Sequence, residues 1–427
     1  MAATDAQGNL LSTSLEAAGL WRDFSLRLQR QRSGMPDALQ RVLDADPEFG
    51  VAHAIAGVVS ACLKVPNFDP GTEIEAAQTG AAEHAWERSF IEAAAAAVAQ
   101  GPLWASVEGW FAHHTGHPTD INGLIFGRLG AAWSADANRF VELGKRVAQT
   151  HAAVGDDPTI LGFRGMGSQE RGDLDAAERF ASLALELDPT GSVGAHPMAH
   201  VFFERGDHAG GAAWLDEWLP TADPAGGFTA HLHWHHALHH LAMGDTERVL
   251  STYVDRLCEP SPTALPDRSS MLWRLQLHGV VDENADPSTE DFSDMLSSSV
   301  DFIPFTFVGV HVALGLATRG DVVALRRFAA TAARSAAPGA STLVQPIALA
   351  LADRIDGAAS SAADRLIAIE HQFPVLGGSH AQREVFEDTL IDTLIRAGRT
   401  EDAERRLKVR LDRRPGALDQ GWLIASG

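Results

Sequence analysis

The sequence predicts an all-α fold, a solenoid in which antiparallel helix pairs stack as a right-handed superhelix around a concave central pocket. Two observations carry this prediction. Alanine and leucine, which are strong helix formers, are abundant beside few β-formers, and the 427 residues include only one tyrosine. In addition, apolar helical segments end repeatedly at a glycine turn, at intervals of 34 to 41 residues.

The repeated unit reads helix, glycine turn, helix. Glycine is the residue that most easily adopts the left-handed conformation that ends a helix. The glycines that define the turns are Gly172, Gly206, Gly244, Gly279, Gly320, Gly357 and Gly398. The clearest unit spans Glu170–Pro189, where Asp188-Pro189 ends the second helix. An i, i+3, i+4, i+7 pattern predicts its buried face, which comprises Phe180, Leu183, Ala184 and Leu187.

The two ends of the chain differ in regularity. We expect residues 1–110 to form an N-terminal helical cap with degenerate repeats. Within it, Ala38–Pro47 resembles the end of a repeat helix. Residues 111–427 predict helical repeats that form one continuous solenoid. Polar, proline-rich or glycine-rich stretches at 221–228, 282–293 and 338–341 predict loops between units.

Composition excludes several functional classes. The net charge is −22, so nucleic acid and anionic membrane surfaces are poor partners. No apolar run reaches 18 residues, which argues against a membrane span. The two cysteines do not suffice for a disulfide framework or a cysteine-rich zinc site. Met1–Leu10 lacks the features of a secretory signal, so we expect a cytoplasmic protein.

Chemistry concentrates between residues 196 and 240, where nine of the 19 histidines lie. His196 precedes His200 by four residues, and His231 precedes His235 by the same interval. Residues four apart share a helix face, and two histidines so placed can chelate one metal ion. The four histidines are therefore candidate ligands of a divalent metal, zinc or iron, and a satisfied, packed histidine is the alternative for each.

Helical phase separates these histidines from their neighbours. His231 and His235 lie beside the apolar face formed around Trp234, where a residue lining a groove would lie. Three other histidines of the segment are expected on a solvated face: His233, His236 and His240. Pro197 favours the first helical position, which predicts that His196 lies at or near a helix N-cap.

Two resemblances follow from these motifs. The repeated unit resembles the tetratricopeptide repeat, a pair of antiparallel helices. From about residue 110 onward, the chain also resembles the tetratricopeptide repeat protein 38 family. The stretches that carry this second resemblance are HPTD at 117–120, HPMAHV at 196–201, HLHWHHAL at 231–238, DRSSMLWRLQLHGV at 267–280 and LGGSHAQREVF at 376–386.

The resemblance singles out polar residues that the repeat consensus does not explain. It implies roles for Asp120, His196, His200, His231, Trp234, His235, Asp267, Ser270, Arg274, His311, Ser379, Gln382 and Arg383. The family supplies no firmly described reaction, so the resemblance implies a fold more than an activity. Phe203 and Gly309 stand where the family carries acidic residues, which puts a carboxylate ligand of a metal in doubt.

The residues outside the paired histidines have alternative interpretations. Asp267 is either a helix N-cap or a site carboxylate, and Arg274, seven residues later, is either solvated or a clamp for an anion. Ser379 follows two glycines and is either an N-cap or part of an anion site at a helix start. Arg383, in the first turn of that helix, predicts a buried carboxylate or a bound anion as its partner.

Three functions are compatible with this pattern. The first is metal-assisted or histidine acid–base chemistry, such as hydrolysis, on a small and anionic substrate. The others are non-catalytic binding of a small ligand and docking of a peptide partner. The catalytic candidates are His196, His200, His231, His235, Asp267 and His311. The candidates for substrate binding are Asp120, Trp234, Arg274, Ser379, Gln382 and Arg383.

Overall fold

The fold is all-α in the part of the chain that the structure describes. The structure is a computed structural model, and it describes residues 2–63, 65, 67–258, 264–289 and 292–426. Within these ranges the regular elements are helices, accompanied by two isolated bridges, between Thr4 and Leu10 and between Phe49 and Ala81. The predicted helical class is therefore confirmed. No helix within these ranges combines the length and the apolar character needed to cross a membrane.

The first 154 residues form eight helices within the described ranges. They are α1 (Leu15–Gln29), α2 (Met35–Ala45), α3 (Gly50–Leu63), α4 (Pro70–Thr79), α5 (Ala85–Gln100), α6 (Val107–Gly116), α7 (Ile121–Ala132) and α8 (Ala137–Val154). The expected helix end at residues 38–47 is the end of α2. Short polar side chains start several of these helices, as Asp120 does for α7 by accepting hydrogen bonds from two backbone amides.

The remaining helices follow mostly as pairs. They are α9 (Pro158–Glu170), α10 (Leu174–Leu187), α11 (Ser192–Arg205), α12 (His208–Trp218), α13 (Thr229–Met243), α14 (Thr246–Thr252), α15 (Leu265–Leu277), α16 (Ser293–Ser299), α17 (Thr306–Thr318), α18 (Val322–Arg334), α19 (Gln345–Ile355), α20 (Ala359–Ile369), α21 (His380–Arg396), α22 (Thr400–Arg413) and α23 (Ala417–Ser426). All seven glycines of the predicted turns have φ between 67° and 81°. The left-handed turn predicted for each of them is confirmed.

The predicted loops also fall between helices. Residues 221–228 separate α12 from α13, and the stretch at 282–293 lies between the end of α15 and the start of α16, although residues 290 and 291 are outside the described residues. The third predicted break, at 338–341, overlaps a short π-helical segment, Ala340–Val344, that leads into α19.

The buried face of α10 differs from the predicted one. Leu187 is 49% exposed, whereas Ala177, Ala181 and Ala184 are buried. Alanine buries completely where a neighbouring helix comes close, and the larger side chains then lie at the edges of the contact. The prediction assumed that the larger apolar side chains are the buried ones. Where helices approach closely, the small alanine side chains are buried instead.

The chain divides into two compact units. The first comprises Met1–Gly167, Arg179–Ala195 and Asp223–Gly227, and its core is built around aromatic side chains, among them Trp21, Phe49, Phe90 and Trp110. The second comprises Ser168–Glu178, His196–Ala222 and Phe228–Gly427. Its core includes Trp234, Tyr253, Met271 and Leu275. The division between a cap and repeats at residues 110 and 111 stays a prediction.

Candidate functional site

Helix α11 begins earlier than the sequence predicts. Its first residue is Ser192, so Pro197 lies inside the helix and His196 is not at the N-cap. A proline inside a helix removes one backbone hydrogen bond, and here that loss falls near the helix start. The prediction that His196 lies at or near the N-cap was wrong because α11 begins four residues before it. The correction matters because His196 and His200 both have helical neighbours, so their i, i+4 register is intact.

Four imidazoles meet in the second unit. His196 and His200 extend from α11, and His231 and His235 extend from α13. Each residue offers a ring nitrogen, and these atoms all lie within 4.8 Å of one another. We call this group the histidine tetrad. The structure thus brings together the two pairs that sequence spacing singled out.

Two nitrogen separations within the tetrad suit a hydrogen bond between imidazoles and are also close to the separation of two ligands on one metal ion. His196 Nε2 lies 3.1 Å from His200 Nε2 and 3.1 Å from His231 Nε2. Two nitrogens bound at about 2.0–2.1 Å to a tetrahedral zinc ion would be separated by about 3.3 Å. The His235 ring centroid lies 4.3 Å from that of His200 and 4.7 Å from that of His231. The fourth ring therefore completes a compact cluster.

Asp267 fixes the orientation of His231. The His231 Nδ1 atom lies 3.0 Å from Asp267 Oδ1 and 2.9 Å from Oδ2. A carboxylate accepts hydrogen bonds, so Nδ1 carries the proton and Nε2 presents its lone pair to the tetrad. This carboxylate–histidine arrangement is typical of protein metal sites. Asp267 is not an N-cap, because α15 begins at Leu265 and Asp267 lies in its first turn.

His235 and His200 contain polar atoms without protein partners. Both rings are fully buried. Among the described residues, neither nitrogen of His235 has a hydrogen-bond partner. The Nδ1 atom of His200 also lacks one. Leaving one such buried atom unpaired costs about 1–3 kcal/mol, so native proteins rarely retain several together. A metal ion held by the tetrad would supply the partner that His235 lacks.

Burial keeps these imidazoles neutral. It lowers the pKa of His200 to about 4, although the negative charge of Glu170 opposes the shift. Burial also lowers the pKa of His235 well below its ordinary value, and the neighbouring His200 and His231 add to the effect. Neutral imidazole is the form that binds metal ions. The site is therefore ready for a cation at neutral pH.

Two aromatic side chains pack against the tetrad. The Trp234 ring stacks on His231 with centroids 5.1 Å apart, and its Nε1 donates to Ser270 Oγ at 3.1 Å. The Phe228 ring lies 4.7 Å from that of His196. His196 and His231 retain 7% and 8% exposure, whereas His200 and His235 retain none. Among the four tetrad residues, the remaining exposure is therefore at His196 and His231.

Trp234, a candidate for substrate binding, is itself fully buried. In the structure it supports His231, and its indole N–H is already engaged by Ser270. Phe228 was not singled out from the sequence. The only signal available was its place directly before the histidine-bearing helix α13.

His311 belongs to the same unit but not to the tetrad group. It is buried in α17, which packs against α15, the helix of Asp267. Its Nδ1 lies 2.7 Å from the Phe307 carbonyl oxygen, and its Nε2 has no partner among the described residues. Burial lowers the pKa of His311 to about 4. His311 remains a candidate whose free nitrogen is unexplained by packing.

Arg274 lies in a buried ion pair. Its Nε donates to Asp388 Oδ2 at 3.0 Å, and its Nη2 donates to the Ala381 carbonyl oxygen. Arg410 binds the other oxygen of Asp388 at 2.6 Å. The structure thus gives Arg274 a protein partner that sequence spacing did not predict. The hydrogen bonds of Arg274 are thus directed to α21 and not to Asp267, and a role of Arg274 with an anionic substrate stays a prediction.

Three candidates on α21 are explained by helix capping and an ion pair. Ser379 is the N-cap, its hydroxyl accepts from the Gln382 amide, and the Gln382 side chain accepts from the Ser379 amide. This reciprocal arrangement is a capping box. Arg383 donates to Glu170 Oε2 at 2.7 Å and to the Gly378 carbonyl oxygen. The partner of Arg383 is therefore the carboxylate of Glu170, but this residue is exposed and not buried as predicted.

Asp120 lies in the first unit, so it is described apart from the tetrad. It caps α7, and its Oδ2 accepts from His113 Nε2 at 2.9 Å. The opposite nitrogen of His113 faces Ser89 Oγ at 3.1 Å. Both carboxylate oxygens of Asp120 therefore have protein partners.

A half-buried carboxylate, Glu204, lies one turn after His200. Glu204 Oε1 accepts from His380 Nδ1 at 2.8 Å, and Arg414 lies 3.4 Å from Oε2. Burial opposes ionisation of Glu204, yet the hydrogen bond and charge of His380, together with Arg414, lower its pKa to about 2. Glu204 is thus an ionised neighbour of His200, although its oxygens are directed to other partners.

The expected solvated face of α13 is only partly solvated. His236 is buried, and its Nε2 lies 3.1 Å from Asp216 Oδ1. His240 is half-buried, and its Nε2 lies 3.3 Å from that of His236. The prediction was wrong for His236 because helix α12 covers that side of α13. His233, by contrast, is partly exposed.

Two cavities of the second unit lie away from the tetrad. One is lined by residues around His208 and Pro415, and the other by charged side chains that include Arg274, Asp388 and Arg414. Neither cavity is therefore the predicted concave pocket centred on the histidines.

No protein-family model matches the chain. The observation that indicates a function is therefore the geometry of the four tetrad histidines.

Proposed function

We propose that this protein is a histidine-ligated metalloprotein that processes a small anionic molecule by hydrolysis or a related proton transfer. The tetrad would hold one divalent ion, zinc or iron. The observation that carries the proposal is His235, a fully buried imidazole whose two nitrogens have no protein partner among the described residues, placed among three other imidazoles. A packed structural histidine would be expected to have at least one partner.

The ligand set favours a transition ion. Imidazole suits zinc, iron, copper and nickel, whereas magnesium and calcium prefer oxygen. Asp267 orients His231, and no carboxylate belongs to the tetrad group as the described residues define it. A divalent ion bound there would supply Lewis-acid chemistry to a substrate.

Charge balance supports an anionic substrate. The four imidazoles are neutral ligands, and the carboxylate in hydrogen-bond contact with one of them is Asp267. The other carboxylates whose charges act on His200 are Glu170 and Glu204, and protein groups already pair with both of them, Arg383 with the first and His380 and Arg414 with the second. With Asp267 as the one compensating charge, a divalent ion would leave a net positive charge in a buried site, which is costly without a further anion. A substrate carboxylate or phosphate would neutralise it. His196 and His231 are the tetrad members from which such a group would approach, because they retain exposure.

We also propose that the helix pairs wind as a tetratricopeptide-like superhelix of the tetratricopeptide repeat protein 38 type. In this proposal the protein acts in the cytoplasm. The confirmed glycine turns support the helix-pair repeat. The functional part of the proposal depends only on the tetrad.

The test compares three preparations of the full-length protein: metal-loaded wild type, metal-free wild type, and the His235→Leu variant treated with metal in the same way. Each is incubated with a panel of small carboxylate and phosphate esters and amides, and products are measured by mass spectrometry. We expect turnover only by the loaded wild type. Turnover that survives chelation but is lost in His196→Ala would instead favour metal-free acid–base chemistry. Metal binding without turnover of any substrate would contradict the catalytic part of the proposal.

A further inference from the structure

Helix α13 carries a second pair of histidines on another face. His236 and His240 are four residues apart, as are His231 and His235. At 100° per residue, the mean direction of the second pair lies about 140° around the helix from that of the first. The second pair therefore points away from the tetrad and toward α12, which packs against this side of α13.

A carboxylate of α12 completes a three-residue group. Asp216 Oδ1 lies 3.1 Å from His236 Nε2, and His240 Nε2 lies 3.3 Å from His236 Nε2. These separations are close to the edge of a tetrahedral zinc site, about 3.3 Å. The three donor atoms belong to one of the two groups that meet the geometry of a metal site in the part of the chain described here.

A further carboxylate orients His240. Asp245 Oδ2 lies 3.0 Å from His240 Nδ1, so the proton of His240 is on Nδ1 and the lone pair of Nε2 faces His236 and Asp216. Asp245 is itself held in place as the N-cap of α14. His231 and Asp267 have the same relationship in the tetrad. Such outer carboxylates raise the basicity of a ligating imidazole and fix its direction.

We infer that Asp216, His236 and His240 form a second site for a divalent transition ion of the zinc class. Two imidazoles and one carboxylate suit such an ion better than magnesium or calcium. His236 would carry its proton on Nδ1 and bind through Nε2. Asp216 is about half exposed, so the remaining coordination positions would face solvent. The site is therefore exchangeable, unlike the buried tetrad.

The main competitor for this site is a protein cation. Arg248 Nη2 lies 3.3 Å from the same Asp216 oxygen. Both side chains of this pair are about half exposed, and such surface ion pairs contribute only about 0–1 kcal/mol. Arg248 can thus release Oδ1 to an incoming metal ion at little cost. This inference does not depend on the proposed function, since it concerns a different group of ligands.

The test is a zinc titration of the full-length protein after dialysis, followed by competition with a chromophoric chelator. We expect Asp216→Asn and His240→Gln each to remove one weakly held equivalent. His233→Gln is the matched control, because it removes a histidine from the same helix outside both groups and should change nothing. Asp216→Asn alters an exposed side chain, so it keeps the test valid even if a histidine variant folds poorly.

Cobalt provides a second readout. Cobalt bound at this site should give one component of the visible absorption that Asp216→Asn removes and His235→Leu retains. The opposite pattern would assign the absorption to the tetrad. If zinc stoichiometry and affinity are the same in wild type, Asp216→Asn and His240→Gln, the inference is wrong. The tetrad and the proposed function would be unaffected by that outcome.

Discussion

His231 donates its Nδ1 proton to the carboxylate of Asp267, with both oxygens within 3.0 Å, and this contact turns its Nε2 toward His196. Helix α13 thus supplies the imidazole, and helix α15 supplies the carboxylate that orients it. The tetrad is therefore a product of helix-pair packing as well as of i, i+4 spacing.

Asp267→Asn should weaken metal binding at the tetrad by about 10- to 100-fold, because outer carboxylates contribute by that factor in metal sites. The amide can accept only weakly and cannot provide the negative charge. Affinity is measured by competition with a chromophoric chelator. Asp301→Asn, which alters an exposed ion pair with Arg327, is the control and should leave affinity unchanged. Equal affinity in all three proteins would show that Asp267 does not orient a ligand.

His235→Leu should leave the metal-free protein as stable as the wild type or make it more stable. Leucine removes two buried nitrogens that lack protein partners and nearly fills the same space. A metal ion should stabilise the wild type by about 2.7 kcal/mol at a hundredfold excess over its Kd, and should not stabilise the variant at this site. Urea unfolding with and without metal measures both effects. A large loss of stability in metal-free His235→Leu would instead indicate a packed structural histidine.

Gly211→Ala should destabilise the second unit although alanine favours helices. A Cβ atom at Gly211 in α12 would lie 2.4 Å from the ring of His239, which is fully buried in α13. Overpacking of this kind costs typically about 1–3 kcal/mol. Gly144→Ala in α8 is the matched control, because its Cβ would meet nothing within 4 Å. That substitution should stabilise by about 0.5–1 kcal/mol. Similar thermal midpoints for the two variants would contradict the packing described for α12 and α13.

Acid should destabilise the first unit through His114. Burial lowers the pKa of this histidine to about 4 from 6.5, with the charge of Arg146 adding to the shift. Between these values the unfolded chain binds a proton that the folded protein does not, so stability falls as pH decreases from about 6.5 to about 4. The slope owed to one such group is at most about 1.4 kcal/mol per pH unit.

His114→Gln should therefore make the pH dependence of the unfolding free energy shallower in that range. His151→Gln, which alters a partly exposed histidine of the same unit, serves as the control. Urea unfolding at several pH values gives the slopes. An unchanged slope in His114→Gln would mean that His114 does not contribute to the acid sensitivity.

Much of the fold follows from local rules. A left-handed turn after an apolar helical stretch needs a glycine, so the glycine series located the turns. The buried face of α10 was not predictable in the same way, because the distance between helices decides whether alanine or leucine is buried. Pro197 did not mark the start of α11 for a related reason: the helix is buried on both sides of the proline and begins at Ser192.

The site was predictable where it depends on spacing within one helix. The pairs His196/His200 and His231/His235 follow from i, i+4 periodicity, and their convergence follows from packing. Partners distant in sequence were not predictable, and Arg274 with Asp388, which is 114 residues away, is the clearest example. His236 was misassigned because its phase on α13 says nothing about whether α12 covers it.

The most direct test of the central claim is elemental analysis of the full-length protein, purified without a chelator or a histidine tag and then dialysed. The account predicts about one tightly held equivalent of zinc or iron per chain, lost in His235→Leu and retained in His233→Gln. A wild type that holds no metal after purification and takes up none at the tetrad when zinc or iron is added would contradict it.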